Sequence, residues 1–155
     1  MSIQIIPVKI QKDIVPNDSL VDLVLESTEI QDGDILVFSQ KIVSKSEGRI
    51  LSLSSVNPSL LANGISSSYN KDPRLMELIL SESKRIVRME NGIIIVETNH
   101  GFVCANAGID ESNVQDGYAT LLPEDPDRSS NLLKERIEQK TGKNIAVIIS
   151  DTFGR

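Results

Sequence analysis

The sequence predicts an α+β fold in which a mixed β-sheet carries hairpins and flanking helices. Two short apolar runs, at residues 35–38 and 145–150, are typical of strands that are buried on both faces. The segment that follows Asp72-Pro73 carries apolar residues at helical spacing. Asn91-Gly92 separates two further apolar segments and is typical of a tight hairpin turn. Because hairpins interrupt the alternation of helices and strands, we expect a mixed sheet and not a regular doubly wound fold.

The first third of the chain predicts four elements. Residues 3–10 predict an opening strand. A helix carrying Leu20 follows, and Asn17 or Asp18 is expected to cap it. The strand at 35–38 comes after a turn at 32–34, and residues 40–47 predict a short helix.

The rest of the chain contains one weakly patterned region and four clearer elements. Residues 51–70 are rich in serine and predict a connection around Pro58 and a weak helix. Asp72-Pro73 opens a clear helix, and the hairpin arms lie at 85–89 and 92–97. Prolines stiffen the loop at 121–127, which contains an acidic cluster. A helix is expected from about Ser129 to Lys140, before the last strand.

Composition excludes several classes of function. The 155 residues include 16 Lys and Arg against 22 Asp and Glu, a formal charge of -6, which argues against nonspecific nucleic-acid binding. The single cysteine, Cys104, excludes an internal disulfide and predicts a small buried hydrophobe. Since no apolar run is long enough to cross a bilayer and the N-terminus has no signal-peptide pattern, we expect a cytoplasmic protein.

The loop at residues 100–113 is the strongest candidate site. It leads from an apolar segment to a carboxylate and amides, and Gly108 allows a sharp turn after which Asp110 and Asn113 can point at one volume. The alternative is a turn whose polar side chains only satisfy its own backbone. His100, the only histidine, is expected to be structural and not a general base.

A second candidate site lies at the end of the last strand. Asp151 and Thr152 follow this strand, where open sheets bind their ligands, and their oxygens suit magnesium or manganese, as does Asp110. The alternative is that Asp151-Thr152 caps a following turn.

A pair of lysines forms a third candidate. Lys41 and Lys45 are four residues apart on the predicted short helix, so with Ser39 and Arg49 nearby they could bind an anion. The alternative is a solvated basic face. Glu47 could support these cations or reach a metal, and both possibilities stay open. No Ser/His or Cys/His arrangement is convincing, so we assign no catalytic nucleophile or base.

Four segments in the same order resemble the glutamate ligases that act on the deazaflavin coenzyme F-420. The stretch from Asn106 to Asn113 matches their NAGID-x-SN segment. The other three are Asp32-Gly33-Asp34 leading to the SKSEGR run at 44–49, the LLPEDPD run at 121–127 and the SDTFGR run at 150–155. Because all four occur in the family's order, the chain is identified as a member of this family.

The resemblance implies a reaction and a set of substrates. Members join L-glutamate to a deazaflavin coenzyme precursor through a γ-type amide, using GTP and releasing GDP and phosphate through an acyl phosphate. The expected metal is magnesium or manganese, with potassium as a further candidate, and the expected assembly is a homodimer.

The resemblance also implies roles for individual residues. Asp110 and Asp151 would bind one metal, Thr152 would contribute to a second, and Asn113 would contact the nucleotide. Lys45 would contact phosphate, with Gln40 and Lys41 as its neighbours.

The chain departs from the family in two respects. Ile10-Gln11-Lys12-Asp13 stands where members have a glycine-and-proline turn, so we leave guanine and adenine open. Members also continue well beyond the SDTFGR run, so we expect residues 1–155 to be an N-terminal portion of the ligase domain, incomplete relative to the family, and assign no internal boundary. Two alternatives are a nonenzymatic metal-nucleotide binding module, or subunit completed by a partner, and a ligase with a changed acceptor or amino acid.

Overall fold

The structure is a computed structural model that describes residues 3–90 and 92–151. Helices and strands both occur throughout this part of the chain, which confirms the predicted α+β class. The helices are α1 (Leu20–Ser27), α2 (Gln40–Ser46), α3 (Leu60–Tyr69), α4 (Pro73–Ser81) and α5 (Pro126–Thr141). The strands are β1 (Ile35–Ser39), β2 (Ile50–Ser52), β3 (Ser83–Glu90), β4 (Ile93–Thr98), β5 (Val103–Ala105), β6 (Tyr118–Thr120) and β7 (Ala146–Ser150).

The described chain divides into two compact units. The first unit takes in the residues up to Gly48 together with Asp125–Ser150, and the second takes in Arg49–Glu124 together with Asp151. Within the described residues the strands pair in three small sheets, and the parallel pairing lies in a different sheet from the antiparallel ones. No helix in this part of the chain combines the length and apolar character needed to cross a membrane.

The first unit is built on a parallel pair of strands. β1 and β7 pair in register from Ile35 opposite Ala146 to Ser39 opposite Ser150. One face of this pair, which includes Phe38, packs with apolar side chains of α1, α2 and α5. Val43 and Ile137 are fully buried there, so this face forms the core of the unit.

The other face of the β1–β7 pair is exposed. Ile35 and Val37 each keep 63% of their surface accessible, and Ile148 keeps 48%. The prediction that both strands are buried on both faces is therefore wrong for the described residues. Side chains alternate between the faces of a strand, and in the described chain the helices of this unit cover only one of them.

The predicted strand at residues 3–10 is also wrong. These residues form no strand, and Ile3 and Ile5 are 94% and 89% exposed. A strand needs a neighbouring strand to satisfy its backbone, and none of the described strands pairs with this segment. An apolar pattern alone does not supply that partner.

The N-cap of helix α1 lies one residue after Asp18 and two after Asn17, the two predicted caps. Ser19 is the N-cap, and its Oγ accepts a hydrogen bond from Asp22 N at 3.3 Å. Asn17 instead adopts a left-handed conformation with φ 70°. Asp18 accepts hydrogen bonds from Val15 N at 2.9 Å and Lys12 Nζ at 2.8 Å. Both residues therefore shape the turn before the helix.

The short helix α2 is confirmed, whereas α5 starts earlier than predicted. Asp125 caps α5 by accepting a hydrogen bond from Arg128 N at 2.9 Å, and Pro126 is its first residue. Proline fixes a helical φ and lacks an N–H that the first turn would leave unpaired. The last two residues of the predicted loop at 121–127 therefore belong to the helix.

The second unit is organised around an antiparallel sheet in the order β3-β4-β5. The predicted hairpin is confirmed, with Gly92 at φ 76° in its turn; Asn91 lies outside the described residues. Alternate residues of β4 are buried, with Ile94, Val96 and Thr98 each no more than 1% exposed. They belong to one side of a sheet that covers the apolar face of α4.

Two helices and a pair of short strands also belong to the second unit. The predicted start of α4 is confirmed, because Asp72 accepts a hydrogen bond from Arg74 N at 2.8 Å and Pro73 follows. The weak helix expected in residues 51–70 is α3. In addition, β2 pairs with β6 in an antiparallel ladder, which brings the segment around Thr120 next to Ile50.

Candidate functional site

A left-handed turn introduces the candidate loop. Asn106, Ala107 and Gly108 have φ values of 52°, 55° and 71°. A Cβ added at Gly108 would lie 2.7 Å from Leu122 Cδ2, so only glycine fits both the conformation and the space. Ala107 is 1% exposed, and a buried L-residue in this conformation needs support from its surroundings. The sharp turn predicted at Gly108 is present.

The main chain of Asp110 is fixed immediately after this turn. Asp110 N donates to Thr120 O at 3.1 Å, and Thr120 N donates back to Asp110 O at 2.8 Å. The Thr120 hydroxyl adds a hydrogen bond to the same carbonyl oxygen at 2.9 Å. Because Thr120 is 1% exposed and belongs to β6, these bonds attach Asp110 to a buried ladder.

The carboxylate of Asp110 is held by Ser112. Ser112 N donates to Asp110 Oδ1 at 2.8 Å, and Ser112 Oγ donates to Asp110 Oδ2 at 2.8 Å. These bonds form an Asx-type turn, in which polar side chains satisfy the backbone of their own loop, as in the alternative that the sequence leaves open for this segment. The same bonds fix the direction of the Asp110 carboxylate, which is partly exposed. No role had been predicted for Ser112, although a serine two residues after an aspartate is the pattern that forms such turns.

Two further predicted ligands, Asn113 and Asp151, lie near the surface. Asn113 is exposed and left-handed, with φ 57°. Asp151 is exposed, and Thr152 lies outside the described residues. Burial and then the charge of Asp151 raise the pKa of the Cys104 thiol, against a lowering effect of the Gly108 backbone hydrogen bond. Cys104 is thus the buried hydrophobe that we expected, and Asp151 lies within electrostatic range of the strand that leads into the turn.

The donor set in the second unit is compatible with a hard divalent cation. Within residues 3–90 and 92–151, no group of three or more His, Cys, Asp and Glu side chains is placed to hold a metal ion by itself. Magnesium is usually bound by one or two carboxylates, and waters and substrate phosphates provide its other ligands. The carboxylates of Asp110 and Asp151 are each a type of ligand that such a cation takes.

The predicted phosphate-binding residues of the first unit all lie on α2. Lys41 and Lys45 are partly buried and one helical turn apart, so they share a side of the helix. Gln40 is 6% exposed and donates from Nε2 to Ser44 Oγ at 2.6 Å. The lysines thus lie near the surface, while Gln40 contributes to packing.

The neighbouring charged residues have structural partners. Arg49 belongs to the second unit, where its Nε donates to Leu122 O at 2.9 Å and its Nη2 donates to Glu82 at 3.0 Å. Glu47 accepts a hydrogen bond from Ser129 Oγ. These contacts give Arg49 and Glu47 structural roles in their own units. From the sequence, Arg49 is also expected near a possible anion site, and Glu47 stays open as a support for the lysines or a metal ligand.

The single histidine also makes a structural contact. His100 Nε2 lies 3.0 Å from Glu124 O, which fits a ring protonated at Nε2 that donates to the carbonyl. Its ring stacks on Phe102 with centroids 5.8 Å apart. This contact agrees with the expected structural role of His100.

Two cavities lie on the surface of the described residues, one in each unit. A cavity of about 360 Å³ in the first unit lies between α1, the end of α2 and the first half of α5. A smaller one, of about 180 Å³, lies beside α3 in the second unit. Neither is lined by any of the six predicted site residues that the structure describes.

Comparison with known proteins gives a consistent result. The family model described as F420-0:Gamma-glutamyl ligase matches residues 8–155. A protein of Methanopyrus kandleri named coenzyme F420:L-glutamate ligase is 44% identical over 154 residues, or 99% of this chain and 61% of the relative. A protein of the same name from Methanothermobacter thermautotrophicus is 54% identical over 127 residues, or 82% of this chain and 50% of the relative.

A third relative extends the match over the full sequence. The protein of that name from Archaeoglobus fulgidus is 39% identical over 155 residues, which is 100% of this chain and 62% of the relative. The chain therefore spans between a half and about three-fifths of the length of these curated relatives. Since the family model covers nearly all of the sequence, the chain belongs to the F420-0:gamma-glutamyl ligase family.

Proposed function

We propose that this chain acts in a ligase that adds L-glutamate to the deazaflavin coenzyme F-420 precursor, with GTP and a divalent cation. The observation that carries the proposal is the match of residues 8–155 to the family model. The relatives that bear the ligase name support the same activity. The fixed carboxylate of Asp110 supports the metal-dependent part.

The proposed chemistry has two steps. A carboxylate oxygen of the precursor attacks the γ-phosphorus of GTP, so an acyl phosphate forms and GDP leaves. The amine of glutamate then attacks the acyl carbon, loses a proton, and displaces inorganic phosphate to leave an amide. Neither step needs a nucleophile from the protein, so its contribution is to position the reactants and stabilise charge.

The residues of the second unit would bind a cation. Asp110 and Asp151 are the proposed ligands, joined by Thr152 for a second ion, and Asn113 is the proposed nucleotide contact. A bound divalent cation would neutralise charge on the phosphate oxygens during phosphoryl transfer. The hydrogen bonds from Thr120 and Ser112 support this assignment, because they fix the Asp110 main chain and carboxylate in advance.

The lysines of the first unit would bind phosphate. Lys41 and Lys45 share one side of α2, and their ammonium groups are suited to phosphate oxygens as point charges. Gln40 is proposed as their neighbour. Its bond to Ser44, one turn further along the same helix, supports a role in fixing its own buried side chain within α2.

The test is calorimetric titration of the chain with GTP and Mn²⁺, beside an Asp110→Asn variant. We expect manganese-dependent GTP binding that the variant loses, because an amide binds a hard cation more weakly than a carboxylate. The same melting temperature in both proteins would exclude unfolding as the cause of the loss. Equal binding in the two proteins would contradict the assignment of Asp110.

A turnover assay separates a ligase from a binding module. A ligase releases GDP in a manner that depends on the precursor and glutamate, whereas a metal-nucleotide binding module binds GTP without this release. A panel of other acceptors and amino acids would detect a ligase with a changed substrate.

A further inference from the structure

Asp110 has an unusually complete set of supporting hydrogen bonds from its own loop. Its main-chain N–H and C=O pair with Thr120, and each of its two carboxylate oxygens accepts a hydrogen bond from Ser112. Its backbone and its side chain are therefore fixed by different residues. Thr120 can hold the main chain in place without holding the carboxylate.

We infer that Ser112 is a positioning residue for cation binding, which orients the Asp110 carboxylate by donating to both of its oxygens. This inference rests on the proposed function, because it concerns the cation that Asp110 would bind. Ser112 itself is not proposed as a ligand.

The geometry gives the two hydrogen bonds different roles. The bond from Ser112 N to Oδ1 follows from the turn itself, and a substitution of the side chain leaves this N–H in place. The bond from Ser112 Oγ to Oδ2 depends on the hydroxyl. The hydroxyl bond gives the carboxylate a second point of attachment to Ser112, so the two bonds together define the plane of the carboxylate.

These bonds are compatible with binding a cation. A carboxylate has about four lone-pair sites on its two oxygens, so the two hydrogen bonds from Ser112 do not by themselves prevent ligation of a metal. Partners that orient a ligand in this way change metal affinity by about 10- to 100-fold when they are removed. The exposed position of Ser112 means that its side chain is not needed for the core.

The experiment measures Mn²⁺ binding directly, by electron paramagnetic resonance of the unbound ion, with and without GTP. The variants are Ser112→Ala, which removes the hydroxyl, and Ser112→Thr, which keeps it. The control is Ser67→Ala, because Ser67 is another exposed serine of the second unit whose Oγ makes one hydrogen bond, to Asn63 O at 2.9 Å. Melting temperatures establish that every variant is folded.

We expect Ser112→Ala to weaken Mn²⁺ binding by about 10- to 100-fold. Ser112→Thr should retain most of the affinity, and Ser67→Ala should match the unmodified chain. If Ser112 had only a structural role, Ser112→Ala would lower the melting temperature and leave the Mn²⁺ affinity unchanged.

Two negative results have different meanings. If the unmodified chain binds Mn²⁺, Asp110→Asn abolishes the binding and Ser112→Ala leaves it unchanged, the role of Ser112 is overturned while the proposed function stands. If the unmodified chain binds no Mn²⁺ with or without GTP, both are overturned.

Discussion

The two units contain similarly apolar strands, and in each unit helices cover one face of them. In the second unit, Ile94 and Val96 of β4 are 1% and 0% exposed, because α4 covers that side of the sheet. In the first unit, Val37 of β1 and Ile148 of β7 are 63% and 48% exposed on the face that the helices leave open. The composition of a strand therefore does not determine which of its side chains are buried. The face on which a side chain lies determines it.

The largest expected effect contrasts a buried strand residue with an exposed one. Ile94→Ala should lower the free energy of unfolding by about 2–5 kcal/mol, because it removes a fully buried side chain and leaves a cavity. Val37→Ala should change it by less than about 0.5 kcal/mol, because Val37 is mostly exposed. Urea denaturation of the two variants measures both values. Equal losses would mean that the outer face of β1 is covered in solution.

A smaller effect is expected at the cap of α4. The side-chain hydrogen bonds from Arg74 lower the pKa of Asp72 below its ordinary value, against a smaller raising effect of burial. A lowered pKa means that the charged carboxylate stabilises the folded state above about pH 4, and that this stabilisation is lost as the pH falls through the folded-state pKa.

Asp72→Asn isolates this charge, because asparagine caps helices about as well as aspartate. At pH 7 we expect a loss of no more than about 1 kcal/mol, as for other partly exposed ion pairs. The difference between the two proteins should shrink as the pH is lowered below 4, and urea denaturation at several pH values measures it. Asp125→Asn provides the matched cap of α5 in the first unit. A difference at Asp72 that grows toward low pH would contradict the assignment.

The smallest effect on stability is expected on the outer face of the β1–β7 pair. The double variant Val37→Thr and Ile148→Thr should change the free energy of unfolding by less than about 0.5 kcal/mol. It should nevertheless reduce self-association, which light scattering detects, because contiguous exposed apolar side chains promote association. Val87→Thr on β3, where Val87 is 43% exposed, is the control from the second unit. If the double variant and the Val87→Thr control scatter light equally, the outer face of the β1–β7 pair has no special tendency to associate.

Elements with local signals could be predicted from the sequence. Asp72-Pro73 identified the start of α4, and Asn91-Gly92 identified the hairpin between β3 and β4. Caps and tight turns depend on a few consecutive residues, so the sequence contains most of the necessary information.

Elements that depend on distant partners could not be predicted in the same way. The predicted strand at residues 3–10 has no strand partner among the described residues, and the predicted burial of both faces of β1 required cover that these residues do not provide. Both errors concern contacts between segments that are far apart in the chain. A pattern of apolar residues indicates that a segment can pack, but it does not identify what packs on it.

In the candidate site too, features with local sequence signals could be predicted and contacts with distant residues could not. The turn at Gly108 was expected from its residue type, and the steric reason that Leu122 adds became evident only in three dimensions. Asp110 was predicted, but its supporting residues were not, since Thr120 reaches it through a ladder between segments ten residues apart. Ser112 could have been recognised from its spacing to Asp110 alone.

The pairing between Asp110 and Thr120 has a consequence for how this loop can change in evolution. It joins the two ends of residues 111–119 on a buried ladder, so a substitution or a change in length near Gln115 and Asp116 need not displace the Asp110 backbone. The middle of the loop is therefore distinct from the base that holds the Asp110 main chain. A protein with this arrangement can diversify the surface of the loop while it conserves the position of one acidic group.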